Sequence, residues 1–154
     1  MSRPYFKPQP DAPGPLRFQV ERRVRFDELD PLNIVWHGHY ASYFEDARVA
    51  LGDHYGIGYR DFFRHGVVIP LKKFHVDFHR SMEFGKPYAI EALLHWNEAA
   101  RLDFEFQIRD EAGEPVSSGY SVQMMLDKSR GVLVLKPPFY EAFCQRWRNG
   151  ELDD

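Results

Sequence analysis

The order of the predicted elements is the feature that most restricts the fold: one long helix comes early, and strands follow it almost without interruption. Apolar residues recur every three or four positions over residues 38–55, beside a charged face, and this pattern predicts an amphipathic helix. Gly52, Gly56 and Gly58 predict its end. A helix this rich in aromatic residues must pack against a large apolar surface, and a sheet is the simplest such surface.

One strand is predicted before the helix and four or five after it. Alternating apolar residues predict the first strand over residues 16–26. The later strands are predicted over residues 67–78, 88–96, 102–109, 116–127 and, as a short fifth segment, 131–135. A terminal helix is predicted over residues 139–148. Because the links among the last strands have hairpin lengths, the expected class is α+β, with a mainly antiparallel sheet and one central helix.

The composition divides the chain into an arm, one domain and a tail. Five prolines fall within residues 1–15, which predicts a flexible, extended arm. Residues 16–148 are expected to form a single domain, as the total length of 154 residues allows. Residues 149–154 are an acidic tail. Since a sheet curled around one helix leaves edges to cover, we expect sheet extension to give a homodimer or a homotetramer.

Composition also excludes several classes of protein. The net charge of −3 gives no basic footprint for nucleic acid, and the chain has no run of about 18 apolar residues that would span a membrane. The single cysteine, Cys144, excludes an intrachain disulfide and a cysteine zinc cluster. No apolar segment follows Arg3 and Lys7, so no signal peptide is expected. The expectation is a cytoplasmic protein.

Asp30 is the strongest candidate for chemistry. It follows the first predicted strand and stands seven residues before His37, where the first N–H of the helix is expected. A carboxylate can act as base or nucleophile, helix-start N–H groups can stabilise an oxyanion, and acyl transfer needs both. A simple Asp-Pro turn is the alternative, although the link to His37 is unusually apolar. We interpret the neighbouring acids, Asp27 and Glu28, as solvated charges.

A second polar group lies on the predicted strand 67–78. His75, Asp77 and His79 alternate along it and therefore share one face, which is the nearest approach to a three-ligand metal site in this chain. The simpler interpretation is the polar face of a half-buried strand whose other face is apolar. A metal-dependent protein that uses these three residues is kept as an alternative.

Two arginines and the cysteine complete the set of candidate side chains. Arg48 follows Glu45 by three positions on the predicted helix, so we expect a salt bridge or an exposed face. Arg101 opens a strand and is a candidate contact for a phosphate. Cys144 lies in the late aromatic helix and is interpreted as a core residue rather than a nucleophile.

The segment around Asp30 resembles a known family. Its residues run as Phe26-Asp27-x-x-Asp30-Pro31-x-x-Ile34-Val35-Trp36-x-x-x-Tyr40, followed by Tyr43-Phe44-Glu45-Asp46-Ala47-Arg48. This pattern resembles the hotdog-fold acyl-CoA thioesterases of the 4-hydroxybenzoyl-CoA thioesterase-like family, and the similarity runs from about Phe18 to Leu135. The resemblance implies a hotdog fold, in which a curved antiparallel sheet of about five strands wraps around one long central helix. It also implies dimers with active sites at the subunit interface.

The resemblance assigns roles to individual residues. Asp30 matches the catalytic carboxylate, and His37 matches the residue whose backbone N–H polarises the thioester carbonyl, with its imidazole as a further aid. Tyr40 matches an aromatic residue that shapes the pocket. Asn33 stands where the family usually has glycine, and its amide is a candidate contact for the substrate. Arg101 is the single basic residue found where some members carry a CoA-binding loop.

The resemblance also sets the expected reaction. Hotdog hydratases place a histidine five residues after the aspartate, whereas this chain has Val35 there, which argues against hydration. We therefore expect hydrolysis of a small or medium acyl-CoA, with an aromatic acyl group as one option, and no metal or redox cofactor. The alternatives are a non-catalytic protein that binds acyl-CoA or acyl carrier, and the metal-dependent protein that would use His75, Asp77 and His79.

Overall fold

Three helices and seven strands make up the fold in the computed structural model, which describes residues 4–152. Along the chain they are β1 (Leu16–Arg23), α1 (Tyr40–Tyr55), α2 (Tyr59–Arg64), β2 (Val67–Val68), β3 (Leu71–Phe78), β4 (Pro87–His95), β5 (Arg101–Arg109), β6 (Pro115–Met124), β7 (Leu126–Asp127) and α3 (Pro138–Arg148). One turn of 3₁₀ helix, His37–His39, leads directly into α1. Within the described residues, none of the helices has the length and apolar content that crossing a membrane requires.

The main sheet has five antiparallel strands in the order β1-β4-β5-β6-β3, and β2 pairs with β7 in a separate small sheet. The long helix α1 lies on this sheet against β1, β4 and β5. Its buried apolar residues are Tyr40, Tyr43, Phe44, Ala47 and Leu51. The predicted α+β class is confirmed: one long helix packs on one face of an antiparallel sheet, and β1 and β3 are the edge strands.

β5 shows how the sequence pattern produces this arrangement. Leu102, Phe104, Phe106 and Ile108 alternate along the strand and are all buried, because side chains two positions apart point to the same face of a sheet. The Phe44 ring of α1 stacks on Phe106, with ring centroids 4.8 Å apart. The apolar face of the sheet therefore meets the aromatic face of the helix.

Four predicted strand boundaries are wrong. The segment predicted as one strand over residues 116–127 is divided between β6 in the main sheet and β7 in the small sheet. The segment predicted as one strand over residues 67–78 forms two strands in different sheets, because Pro70 has no N–H to donate to a strand ladder. Residues 131–135 form no strand, and Val132 makes only an isolated bridge with Leu126. β1 ends at Arg23 rather than at residue 26, because residues Phe26–Glu28 turn into a short 3₁₀ helix.

Residues 4–15 contain neither helix nor strand and lie against the domain. The Tyr5 hydroxyl donates a 2.6 Å hydrogen bond to Asp77 on β3, and the Trp147 indole of α3 donates one of 3.1 Å to the Gly14 oxygen. The sequence did not predict these contacts, and the mobility of the arm stays a prediction. The start of the arm, residues 1–3, and the end of the acidic tail, residues 153–154, lie outside the described residues.

Candidate active site

Asp30 lies in a tight loop between the 3₁₀ turn Phe26–Glu28 and the 3₁₀ turn His37–His39 that leads into α1. The Leu32 N–H donates a 2.8 Å hydrogen bond to Asp30 Oδ1. The Asn33 N–H donates to the Asp30 carbonyl oxygen at 2.9 Å, and the Asp30 N–H donates to the Ile34 oxygen at 2.9 Å. Asp30 therefore does initiate a turn, and the same turn orients its carboxylate. Because a carboxylate has about four acceptor positions, the bond from Leu32 leaves acceptor capacity for water or substrate.

Asn33 closes this loop through its backbone. Its φ angle is +64°, in the left-handed region that glycine adopts freely and that asparagine tolerates better than most other residues. This geometry accounts for asparagine at a position where the related family usually has glycine. The Asn33 side chain is exposed, and its role as a substrate contact stays a prediction.

A cleft of about 320 Å³ opens beside the Asp30 carboxylate, between this loop, the start of α1 and the end of β3. Its lining comprises Asp30, Leu32, Ile34, Val35, His37, Tyr40, Phe78, His79, Arg80 and Ser81. The cleft thus brings together three of the predicted site residues, Asp30, His37 and Tyr40. The sequence did not predict that Phe78, His79, Arg80 and Ser81 line this cleft, because only the topology brings the end of β3 to the start of the helix.

The start of the helix, where His37 lines this cleft, carries backbone donors. In the 3₁₀ turn the His39 N–H donates to the Trp36 oxygen at 2.9 Å, so the N–H groups of His37 and Gly38 precede the first hydrogen bond of the turn. The Trp36 ring covers Gly38, and a Cβ atom placed on Gly38 would lie 2.1 Å from Trp36 Cζ3. With the ring in this position, only glycine fits beneath it.

Tyr40 forms an apolar wall of the cleft. Its side chain is buried, and its ring meets the edge of the Phe78 ring with centroids 4.8 Å apart. Burial raises the pKa of Tyr40, and the nearby charge of Asp30 raises it further. The Tyr40 hydroxyl therefore stays protonated over the physiological range.

Glu28, interpreted from the sequence as a solvated charge, is instead buried, with 4% of its surface exposed. Its carboxylate accepts hydrogen bonds from the Arg25 N–H at 2.9 Å, from the Tyr43 hydroxyl at 2.8 Å and from the Arg22 guanidinium. Burial acts to raise the pKa of Glu28, but these three donors outweigh burial and the pKa is lowered. The interpretation was wrong because a run of acids does not reveal which member turns inward.

Arg101 lies away from the Asp30 cleft of the same chain. In the register of β5 and β6 it stands opposite Met124, near the start of β3, whereas the cleft is at the end of β3. Its Nε donates a 2.8 Å hydrogen bond to Asp103. Within one chain the fold therefore does not bring Arg101 to Asp30, and a contact with CoA stays a prediction.

The proposed metal ligands do not form a metal site. His75 Nε2 lies 3.0 Å from Asp77 Oδ2, whereas His79 Nε2 lies 2.9 Å from the Ser118 hydroxyl. Asp77 also accepts the hydrogen bond from the Tyr5 hydroxyl. Burial and this bond raise the pKa of Tyr5 to about 12, so Tyr5 stays a donor to Asp77. Over residues 4–152, no group of three or more histidine, cysteine, aspartate or glutamate side chains is arranged to hold a metal ion. The described side chains therefore give the metal-dependent alternative no support.

Arg48 is buried rather than exposed, with 2% of its surface accessible, and the expected salt bridge with Glu45 is absent from the ion pairs of the described residues. Its guanidinium stacks on the Tyr59 ring at 3.8 Å from the centroid, and its Nε donates a 3.0 Å hydrogen bond to Gln123. Burial lowers the pKa of Arg48. Cys144 is buried as well, which agrees with its interpretation as a core residue.

Comparison with known proteins gives a consistent family. The model of the thioesterase-like superfamily matches residues 24–146. A candidate esterase of Synechocystis sp., sll0410, is 27% identical over 122 residues, which cover 79% of this chain and 74% of that protein. A candidate acyl-CoA thioesterase of Bacillus subtilis, YneP, is 25% identical over 108 residues, which cover 70% and 78%.

The fold also matches a solved structure. The DHNA-CoA thioesterase from Staphylococcus aureus superposes with a TM-score of 0.75 at 22% identity, over 88% of this chain and 94% of that chain. At this level of identity the likeness shows the fold, so the predicted hotdog arrangement of one long helix on an antiparallel sheet is confirmed.

Proposed function

The chain belongs to the thioesterase-like superfamily and is a thioester hydrolase, and we propose that it cleaves an acyl-CoA to a free acid and CoA with Asp30 as its catalytic carboxylate. One observation carries the proposal: the Asp30 carboxylate and Tyr40 line the same cleft as His37, where the helix begins. A carboxylate, backbone donors and an apolar wall are the groups that thioester hydrolysis requires.

Asp30 can act in two ways in this cleft. As a general base it removes a proton from water, whose oxygen bonds to the thioester carbonyl carbon; the C–S bond then breaks and CoA leaves as a thiolate. As a nucleophile it bonds to that carbon itself and releases the thiolate, and water then hydrolyses the mixed anhydride. The thiolate is a good leaving group, so neither route needs a strong general acid.

Negative charge develops on the carbonyl oxygen in both routes. The N–H groups of His37 and Gly38, which precede the first hydrogen bond of the turn, are the donors that we assign to this oxygen. The His37 imidazole lines the cleft and is a further candidate donor. The Asn33 amide and the Arg101 guanidinium are proposed as substrate contacts, and a contact from Arg101 would require a second copy of the chain.

The acyl group that fits this cleft is small or medium in size. Ile34, Tyr40 and Phe78 give the cleft apolar walls, as acyl-binding pockets require. The staphylococcal protein with the same fold is named for DHNA-CoA, so an aromatic acyl group belongs to the proposed range. Metal and redox cofactors have no part in either route.

We propose that the protein works in the cytoplasm as a homodimer or a dimer of dimers. The edge strand β3 exposes Leu71, Phe74 and Phe78, with 57%, 45% and 54% of their surfaces accessible. An apolar edge strand is prone to pair with another strand, and Phe78 also lines the cleft. Light scattering on the purified protein would therefore give at least twice the mass of one chain, and a monomeric mass would contradict the proposal.

The proposed reaction is tested by following release of the CoA thiol from a panel of acyl-CoAs that spans short, medium and aromatic acyl groups. Turnover of one or more of them is expected. Hydrolysis restricted to acyl-carrier thioesters would contradict the choice of CoA as carrier. Tight binding of an acyl-CoA without thiol release would favour the non-catalytic alternative.

A further inference from the structure

The N-terminal arm is tied to the face of the main sheet that α1 leaves open. Phe78 contacts Tyr40 of α1, so Asp77, its neighbour on β3, points to the opposite face. There the Tyr5 hydroxyl lies 2.6 Å from Asp77 Oδ2 and 2.7 Å from the Ser118 hydroxyl of β6. Because Asp77 and Ser118 are partners in the register of β3 and β6, Tyr5 spans the two strands.

The same contacts reach the wall of the Asp30 cleft. The Ser118 hydroxyl lies 2.9 Å from His79 Nε2. His79 lines both the cleft and a cavity of about 430 Å³ beside Tyr5, and it directly follows Phe78, the last residue of β3. A continuous set of contacts therefore joins the arm to the strand end that lines the cleft.

The donors in this network can be assigned from its geometry. Hydrogen bonds from Tyr5 and His75 lower the pKa of Asp77, so its carboxylate is ionised and only accepts, and it takes the single proton of the Tyr5 hydroxyl. The Ser118 hydroxyl must then donate to the Tyr5 oxygen. With its own proton used, Ser118 accepts from His79 Nε2. The donors therefore run in one direction, and in the neutral ring of His79 the proton is fixed on Nε2.

Ring contacts hold the arm on the sheet independently of these hydrogen bonds. The Tyr5 ring lies 5.1 Å from that of Tyr120 and 5.8 Å from that of His75, measured between centroids. The Phe6 ring lies 5.6 Å from that of Tyr120 and 5.2 Å from that of His95. Removing only the Tyr5 hydroxyl should therefore leave the arm in place and break the chain of donors.

We infer that Tyr5 is a positioning residue for the proposed hydrolysis, because it holds the His79 ring and with it the strand end beside Asp30. The inference rests on the proposed acyl-CoA hydrolysis, and it makes the arm part of the working site. Misplacing a bound substrate by about 1 Å can lower the rate by about 10²-fold. A cleft wall that is fixed at its end therefore favours the productive geometry.

The tautomer of His79 tests the link without any substrate. Nitrogen-15 NMR in alkaline buffer distinguishes protonated from unprotonated ring nitrogens, and the resonances lost in His79→Asn identify His79 among the seven histidines. We expect the Nε2–H form in the wild type. In Tyr5→Phe the Ser118 hydroxyl loses its acceptor and is free to donate to His79, so the Nδ1–H form should appear. A wild-type ring protonated on Nδ1, or an unchanged tautomer in Tyr5→Phe, would overturn the inference.

Kinetics then test the role in catalysis. With the acyl-CoA that the wild type hydrolyses fastest, Tyr5→Phe should lower kcat by about 3- to 10-fold and leave KM nearly unchanged, because the substrate still binds but its position is less restricted. Gln9→Leu is the matched control. It removes the hydrogen bond of 3.2 Å from the arm to the Trp96 oxygen, which does not line the cleft, and should change neither kcat nor the His79 tautomer. Equal kcat values for the wild type and Tyr5→Phe would overturn the positioning role.

A double variant tests whether the effect passes through Ser118. If it does, adding Tyr5→Phe to Ser118→Ala should change kcat little, whereas independent effects would multiply. Multiplied effects would overturn the inference. If the wild type hydrolyses no acyl-CoA, the proposed function fails, and the His79 tautomer alone decides whether the arm is linked to the cleft.

Discussion

The Tyr43 hydroxyl donates a 2.8 Å hydrogen bond to Glu28, and this bond joins the first turn of α1 to the loop that carries Asp30. Both side chains are buried. The backbone oxygen of Glu28 also accepts a 2.9 Å hydrogen bond from the Trp36 N–H, so Glu28 holds both the entry to the loop and its exit into the helix. Glu28 is therefore a positioning residue for the candidate site.

Replacing Glu28 by glutamine should destabilise the protein. Glutamine keeps the size of the side chain but removes the charge that three donors share, and hydrogen bonds to charged groups contribute about 1.5–3 kcal/mol. We expect the free energy of unfolding in urea to fall by about that amount. Asp27→Asn is the control, because Asp27 is exposed and surface substitutions change stability by about 0.5 kcal/mol or less. Equal effects of the two variants would contradict the buried role of Glu28.

The stability of the wild-type protein should depend on pH through the same carboxylate. The pKa of Glu28 is lowered in the folded state from its ordinary value of 4.5, so the unfolded state binds the proton more readily. The stabilisation is therefore complete above about pH 4.5 and is lost as the pH falls through the folded-state pKa. Urea unfolding from pH 7 to pH 3 should show the gap between wild type and Glu28→Gln narrowing in acid. A gap that stays constant would count against this linkage.

Two variants at Asn33 distinguish a role of its backbone conformation from a role of its side chain. Because its φ angle is +64°, Asn33→Gly should leave the free energy of unfolding nearly unchanged, while Asn33→Ala should cost about 1 kcal/mol. Thermal unfolding of the two variants measures this difference. If Asn33→Gly folds normally but its KM for the acyl-CoA rises, the amide contacts the substrate; equal losses of stability in both variants would contradict the backbone explanation.

Gly38→Ala should impair catalysis by moving the start of the helix. The added methyl group would lie 2.1 Å from Trp36 Cζ3, so the ring or the backbone must shift, and displacing oxyanion donors lowers kcat by up to about 10²-fold. The double variant Trp36→Ala with Gly38→Ala removes the clash and should recover most of kcat. A double variant no better than Gly38→Ala would show that the ring is not the cause.

The sequence was sufficient for the fold because its periodicities are strong. Residues 38–55 repeat with helical spacing, and β5 alternates without interruption, so class and element order followed directly. The errors have two causes. Pro70 interrupts a run of β-forming residues and so divides the predicted strand. Residues 131–135 have the composition of a strand but no neighbouring strand to pair with beyond one bridge.

The candidate site was predicted only where one segment contains it. Asp30, His37 and Tyr40 lie within eleven consecutive residues, so their spacing and the family resemblance were enough. Arg48 was misjudged because a spacing of three from Glu45 fits an exposed ion pair and a buried side chain equally well. Arg80 lies far along the chain, and its place beside Asp30 follows from the end of β3 meeting the start of α1.

The central claim, that Asp30 carries the chemistry, is tested most directly by single-turnover hydrolysis with Asp30→Asn. Asparagine keeps an oxygen that can accept the Leu32 N–H, so the loop should hold its shape while the base or nucleophile is lost. With Asp27→Asn as the control, we expect the rate of CoA release to fall by about 10²- to 10⁴-fold and the Kd for the acyl-CoA to stay nearly unchanged. A rate of release equal to that of the wild type would contradict the account.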